Sequence, residues 1–140
     1  MVLALSPAAL KEGDLLGRIQ IPRLGMEVAI LEGTTSHTLQ LGAGHILGTA
    51  LPGEDGNIGI AGHRDTYFRN LRNIRDEDEI QIQTSTGRVS YKVDSIQIVA
   101  PGDTGILSRT TKSTVTLVTC YPFRFIGAAP ERYVVHAHKE

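Results

Sequence analysis

Apolar residues recur at every second position in short runs along most of the chain, and Gly, Pro, Asp and Asn separate the runs. That period belongs to strands with one covered face, and many short strands at such spacing predict an all-β sandwich or barrel. In GRIQIP, Ile19 and Ile21 share a face before Pro22, and in EVAILEG, Val28 and Ile30 do so before Gly33. These two runs read as antiparallel strands joined through RLGM. IGIAGH predicts a short strand with Ile58 and Ile60 on one face and Gly59, Ala61 and His63 on the other. DEIQIQTS alternates through Ile80, Ile82 and Thr84. In RVSYKVDSIQIVAP the apolar set runs Val89, Tyr91, Val93, then shifts phase to Ile96 and Ile98. A one-residue shift around Asp94 and Ser95 predicts a β-bulge or bend, as barrel corners need.

TVTLVTC and RYVVHAH supply the last two strands. TTSHTLQLGAGH, with its Thr/Ser start and Gly-rich end, suits one or two helical turns, and TYFRNLRNI suits another. LPGEDGN is a loop, and GDTGILSRTTKS is a connection of twelve residues. The count is about eight strands, little helix and no internal repeat. A closed eight-stranded β-barrel with short helical turns is the expected fold, because closure removes the exposed edges such strands would present.

At 140 residues the chain is one domain with room for one core. A net charge of −1 creates no broad field for phosphate backbones or anionic membranes, which argues against nucleic acid as a partner. No stretch approaches the ~20 apolar residues of a membrane span. The opening MVLALSPAAL is broken by Pro7 and lacks a basic leader region, so residues 1–13 are expected to be an N-terminal extension, of a soluble chain or of an ectodomain with its anchor trimmed away.

One cysteine cannot form an internal disulfide, so Cys120 is either core filler or a reagent. It ends the row Thr116, Val118, Cys120 at the mouth of a loop that holds Pro122 and Pro130. Reactive thiols sit in such partly exposed places. A thiol of pKa ~8.5 is only a few per cent thiolate at neutral pH, so attack on a carbonyl needs a base or a positive field.

There are five histidines. His37 in the helical turn and His45 after GAG are expected at the surface. His136 and His138, two apart on one strand face, could give a metal two ligands, but no further cluster completes a site, so they read as a solvated pair and no metal is expected. His63, among small neighbours at a strand end, has the best surroundings for a base. In RYVVHAH the core row is Tyr133, Val135 and Ala137, which leaves Arg132 at the strand start with its side chain off the core. Composition alone allows Arg132 a surface salt bridge with Glu131 or Asp103, of little worth.

Three segments together resemble a known family. TLVTC (Thr116 to Cys120) is similar to the TLxTC motif of sortases, the thiol transpeptidases of bacterial surfaces; IAGHRD resembles their histidine segment, and ERYVV the final strand that opens with their arginine. The order is also theirs, and the resemblance spans residues 14 to 138, with CYPFRFIGAAPERYVV most like class D. It implies a sortase catalytic domain over residues 14–140. Cys120 would be the nucleophile, His63 the acid/base partner and Arg132 the group that holds substrate and developing oxyanion. Thr119 would help line the oxyanion site, and Asp65 could orient the imidazole.

The same resemblance implies cleavage of an LPxTA- or LPxTG-like sorting signal after threonine, through a thioester and without a cofactor. The acyl group would pass to an amine, a cell-wall precursor or a pilin lysine, outside the cytoplasm at a membrane-anchored cell-surface enzyme. Ile106 and Leu107 in one loop, and Phe123, Phe125 and Ile126 in the other, could accept the Leu-Pro unit. Some class A relatives bind calcium through acidic loops; Glu32, Glu54, Asp55 and Asp76 to Glu79 do not match that placement, and DEDE reads as a solvated turn. An L,D-transpeptidase would set its cysteine in a histidine-glycine-cysteine context, and a papain-like protease would place cysteine before histidine. Outside enzymes, the rival is a non-catalytic β-barrel that grips an extended peptide.

Overall fold

A computed structural model describes residues 10–64, 66–103, 105–121 and 130–140, with Cys120 and Tyr121 described by backbone alone. Its strands are β1 (Leu15–Ile21), β2 (Met26–Glu32), β3 (Ala43–His45), β4 (Asn57–Ala61), β5 (Glu79–Thr84), β6 (Gly87–Val99), β7 (Thr114–Tyr121) and β8 (Glu131–Lys139), with one α-helix, α1 (Ser36–Leu41). They form a closed barrel in the order β1-β2-β3-β4-β7-β8-β6-β5. The expected eight-stranded barrel is the observed fold.

Local chemistry explains the joins. β1 and β2 pair antiparallel through a 3₁₀ turn, Pro22–Leu24, which Gly25 closes at φ 66° by donating its N–H to the Pro22 carbonyl at 3.0 Å; that left-handed conformation suits glycine. Thr35 caps α1, its hydroxyl accepting from the Thr38 N–H at 3.3 Å. In β6 the register with β8 steps from Val93↔Ala137 to Ser95↔His136 and leaves Asp94 as the extra residue. The predicted bulge is therefore present. Beyond it Ile98 is 46% exposed, so the alternation buries β6 less well than the pattern suggested.

Two corrections concern segments with weak periodicity. The helix ends at Leu41, and Ala43–His45 instead forms β3, parallel to β2 and antiparallel to β4. His45 is thus buried, at 3% exposure, and not at the surface. Its Nδ1 lies 2.8 Å from Oε1 of Glu32, itself buried, and its Nε2 lies 2.9 Å from the Ala50 carbonyl. The DEDE turn is also not wholly solvated. Asp78 is buried and takes a two-pronged contact from Arg23, at 2.6 and 2.8 Å, which holds its carboxyl below the usual range.

The interior is filled by strand residues of the predicted faces, including Ile19, Ile30, Ile58, Ile60, Ile80, Ile82, Leu117 and Val135. Burying each such side chain contributes about 1.5–3 kcal/mol. Phe68 and Leu71, from the segment between β4 and β5, are fully buried and belong to the same core. Among the described residues no helix is long and apolar enough to cross a membrane.

Candidate active site

Strand direction decides which ends meet. β7 lies parallel to β4 on one side and antiparallel to β8 on the other. The C-terminal ends of β4 and β7 therefore share one end of the barrel with the N-terminal end of β8. The β4–β7 ladder ends at Ala61↔Val118, and the Gly62 N–H then donates to the Val118 carbonyl at 3.1 Å. His63 lies two residues past Ala61, as Cys120 lies two past Val118. On the other side Cys120 stands opposite Arg132 in the β7–β8 ladder, where directly opposed Cα atoms are about 4.5–5.5 Å apart. Three residues singled out in the sequence thus converge from 57 positions of separation between His63 and Cys120.

The backbone around His63 is held from several directions. Its carbonyl accepts the N–H groups of Thr66, at 3.4 Å, and Phe68, at 3.1 Å, closing a tight turn. Thr119 is buried, and its hydroxyl donates to the Gly62 carbonyl at 2.7 Å. Gly62 is required by close approach: a Cβ there would stand 2.7 Å from two atoms of the Phe68 ring. The space that a side chain at Gly62 would need is taken from the core side by this aromatic. His63 and Arg132 are both half-buried, and the Arg132 Nη1 donates to the Glu131 carbonyl at 3.0 Å.

The other candidates separate. Ile106 and Leu107 sit in a 3₁₀ turn, Gly105–Leu107, that packs on β4, with the tip of Leu107 3.1 Å from where a Cβ on Gly59 would be. Leu107 borders a cleft of about 330 Å³. Asp65, Phe123, Phe125 and Ile126 lie outside the described residues, as does the Cys120 side chain. The histidines of β8 differ: His136 is half-buried with its Nδ1 3.0 Å from the Thr116 hydroxyl, whereas His138 stands in solvent as expected, its Nδ1 2.8 Å from the exposed Asp94. Burial pushes the His136 imidazole pKa down. Among the described residues no group of three or more His, Cys, Asp or Glu could hold a metal.

Sequence reading passed over Asn57. It is buried at the start of β4, and its amide donates to the Ile106 and Ser108 carbonyls at 3.1 and 2.9 Å. The available signal was a polar residue leading a strand of otherwise apolar or small residues.

A family model described as the sortase domain matches residues 19–140. Sortase D of Bacillus subtilis (strain 168) is 35% identical over 128 residues, covering 91% of this chain and 65% of that protein. The chain spans less than two thirds of the length of the curated relatives it matches. Among solved structures, a Clostridium perfringens Sortase D5 transpeptidase superposes with TM-score 0.85 at 36% identity, over 95% of this chain and 83% of that one. Sortase A from Corynebacterium diphtheriae gives TM-score 0.85 at 34% identity, over 92% and 62%.

Proposed function

The chain belongs to the sortase family, and on that premise we propose that it is a cysteine transpeptidase acting on an LPxTA- or LPxTG-like sorting signal. The observation that carries the reading is the pair of ladders that sets Cys120 opposite Arg132 and brings the end of β4, with His63, alongside.

The chemistry follows from those neighbours. The Cys120 sulfur attacks the threonyl carbonyl carbon, and the C–N bond to the next residue breaks as His63 gives its proton to the departing amine. A thioester joins the threonyl carbon to the sulfur. An incoming amine then attacks, loses a proton to His63, and expels the sulfur as a new amide forms. Arg132 supplies donors where charge develops on the carbonyl oxygen, a kind of stabilisation worth ~2.7–4 kcal/mol per donor in a well-studied case. Thr119, through its bond to Gly62, holds β7 to the backbone that carries His63.

An extended donor with its threonyl carbonyl at Cys120 would place leucine three residues back, about 10 Å along the sheet. Laid along β4 toward Gly59, where Leu107 rests, such a donor would carry its leucine to that turn. On this reading Ile106 and Leu107 would meet the Leu-Pro unit. Phe123, Phe125 and Ile126 would meet it from the second loop. The acceptor would be a cell-wall precursor or a pilin lysine, and the work that of fixing surface proteins to the wall or assembling pili, by an enzyme held outside the cytoplasm.

The test is mass spectrometry of wild-type protein and Cys120→Ala with LPxTA and LPxTG peptides and an amine acceptor. Cleavage after threonine, with a thioester on Cys120 absent from the variant, is expected. Transfer retained by Cys120→Ala would sink the mechanism. Folded wild type that neither cleaves nor is acylated would favour a peptide-gripping barrel instead.

A further inference from the structure

We propose that Asn57 is a positioning residue for acyl-donor recognition: its amide latches the connection between β6 and β7 onto the barrel wall, so that Ile106 and Leu107 are presented at a fixed place. The role in recognition rests on the transpeptidase reading above; the latch itself does not.

Hydrogen-bond directions fix the arrangement without freedom. Asn57 faces the Ile106 and Ser108 carbonyls at 3.1 and 2.9 Å. Both are acceptors only, so the amide NH₂ must point at them and its two hydrogens are used. Oδ1 then faces Thr116, whose hydroxyl must donate, at 2.6 Å. That hydroxyl has one hydrogen, so the 3.0 Å contact with His136 runs the other way, from an Nδ1–H to Oγ1. Burial favours the neutral imidazole, and the chain of donors selects its Nδ1–H tautomer. One directed relay therefore crosses β8, β7 and β4 and ends on the loop.

The loop has few other ties. Among the described residues, the remaining hydrogen bonds of residues 103–110 are local: Asp103 N–H to Ala100 O, Gly105 N–H to Asp103, Ser108 N–H to Gly105 O and Thr110 to Lys112 O. Leu107 also rests against the bare backbone of Gly59. Thr116 is fully buried, so this link sits beneath the surface a peptide would meet.

Asn57→Asp keeps size and shape but turns a carboxylate oxygen toward two carbonyls, which repels the loop. Hydrogen exchange read by mass spectrometry should show faster exchange of amides 105–110 in this variant, with the barrel strands unchanged. For a sorting peptide KM should rise about tenfold, the scale of a lost hydrogen bond to a neutral partner, with kcat and the rate of Cys120 alkylation near wild type. In wild-type protein, nitrogen NMR of His136 should report the Nδ1–H tautomer. Unchanged exchange at 105–110, or an Nε2–H tautomer, would overturn the latch; a fall in kcat with KM unchanged would overturn its role in recognition. Failure of the transpeptidase reading would show separately, as no turnover by wild type, while exchange and tautomer still test the latch.

Discussion

Gly62→Ala puts the coupling between core and candidate site under direct strain. The added Cβ would stand 2.7 Å from Cγ and Cδ2 of Phe68 and 2.9 Å from Cδ1, whereas ordinary contact begins near 3.4 Å. The ring must retreat by about 0.7 Å, yet Phe68 is fully enclosed by core side chains and such interiors are close-packed. Gly62 cannot give way freely either, since its N–H is bonded to Val118 and its carbonyl to Thr119. Overpacking of this kind costs about 1–3 kcal/mol.

The strain reaches His63 because the Phe68 N–H closes the turn on the His63 carbonyl. A shift of the base approaching 1 Å can cost about 10²-fold in rate. Gly62→Ala should lower the denaturant midpoint at unchanged slope and cut kcat/KM by one to two orders of magnitude, roughly as that principle sets. Phe68→Leu in the same background removes the ring, so the two substitutions together should cost less than the sum of each alone, by about 0.5–3 kcal/mol. A Gly62→Ala protein with wild-type stability and turnover would refute the reasoning.

Two further predictions concern buried polar groups. His45→Ala leaves Glu32 buried without its 2.8 Å partner, and a buried polar group left unsatisfied costs about 1–3 kcal/mol; urea unfolding should show it, and a loss below about 1 kcal/mol would count against the contact. Asp78, whose folded carboxyl titrates below the ordinary value of about 3.9 because Arg23 grips it, adds stability that is present above that value and is lost as pH falls through the depressed one. Asp78→Asn should therefore be less stable than wild type at neutral pH, with the gap closing under strong acid; a gap independent of pH would contradict the assignment.

Legibility followed periodicity. Ile19, Ile21, Ile58, Ile60, Ile80 and Ile82 alternate cleanly and all lie in the core, and the phase shift at Asp94 marked the bulge because a skipped residue must displace every later side chain. β3 carries no such signal. Ala-Gly-His is too short and too small to show a period, and its parallel pairing with β2 depends on the crossover through α1. His45 was misplaced for that reason. Glu32, Asn57, Asp78 and Thr116 were hidden by a different cause: each is polar in type but buried in place, and only a partner distant in sequence makes that burial tolerable.

The candidate site divides in the same way. TLVTC, IAGHRD and ERYVV were readable as motifs, but period-two patterns alone cannot say that β4 and β7 are neighbours, since parallel strands join only through a long crossover. Here that crossover comprises β5 and β6, which close the other side of the barrel. Parallel pairing is also what makes the arrangement possible. Had β7 run antiparallel to β4, Cys120 would stand at the opposite end from His63, with the length of the barrel between them. The strand order thus gives Gly62, Thr119 and Asn57 their roles: the first two hold the ends of β4 and β7 in step, and the third ties the same two strands to the loop beside them.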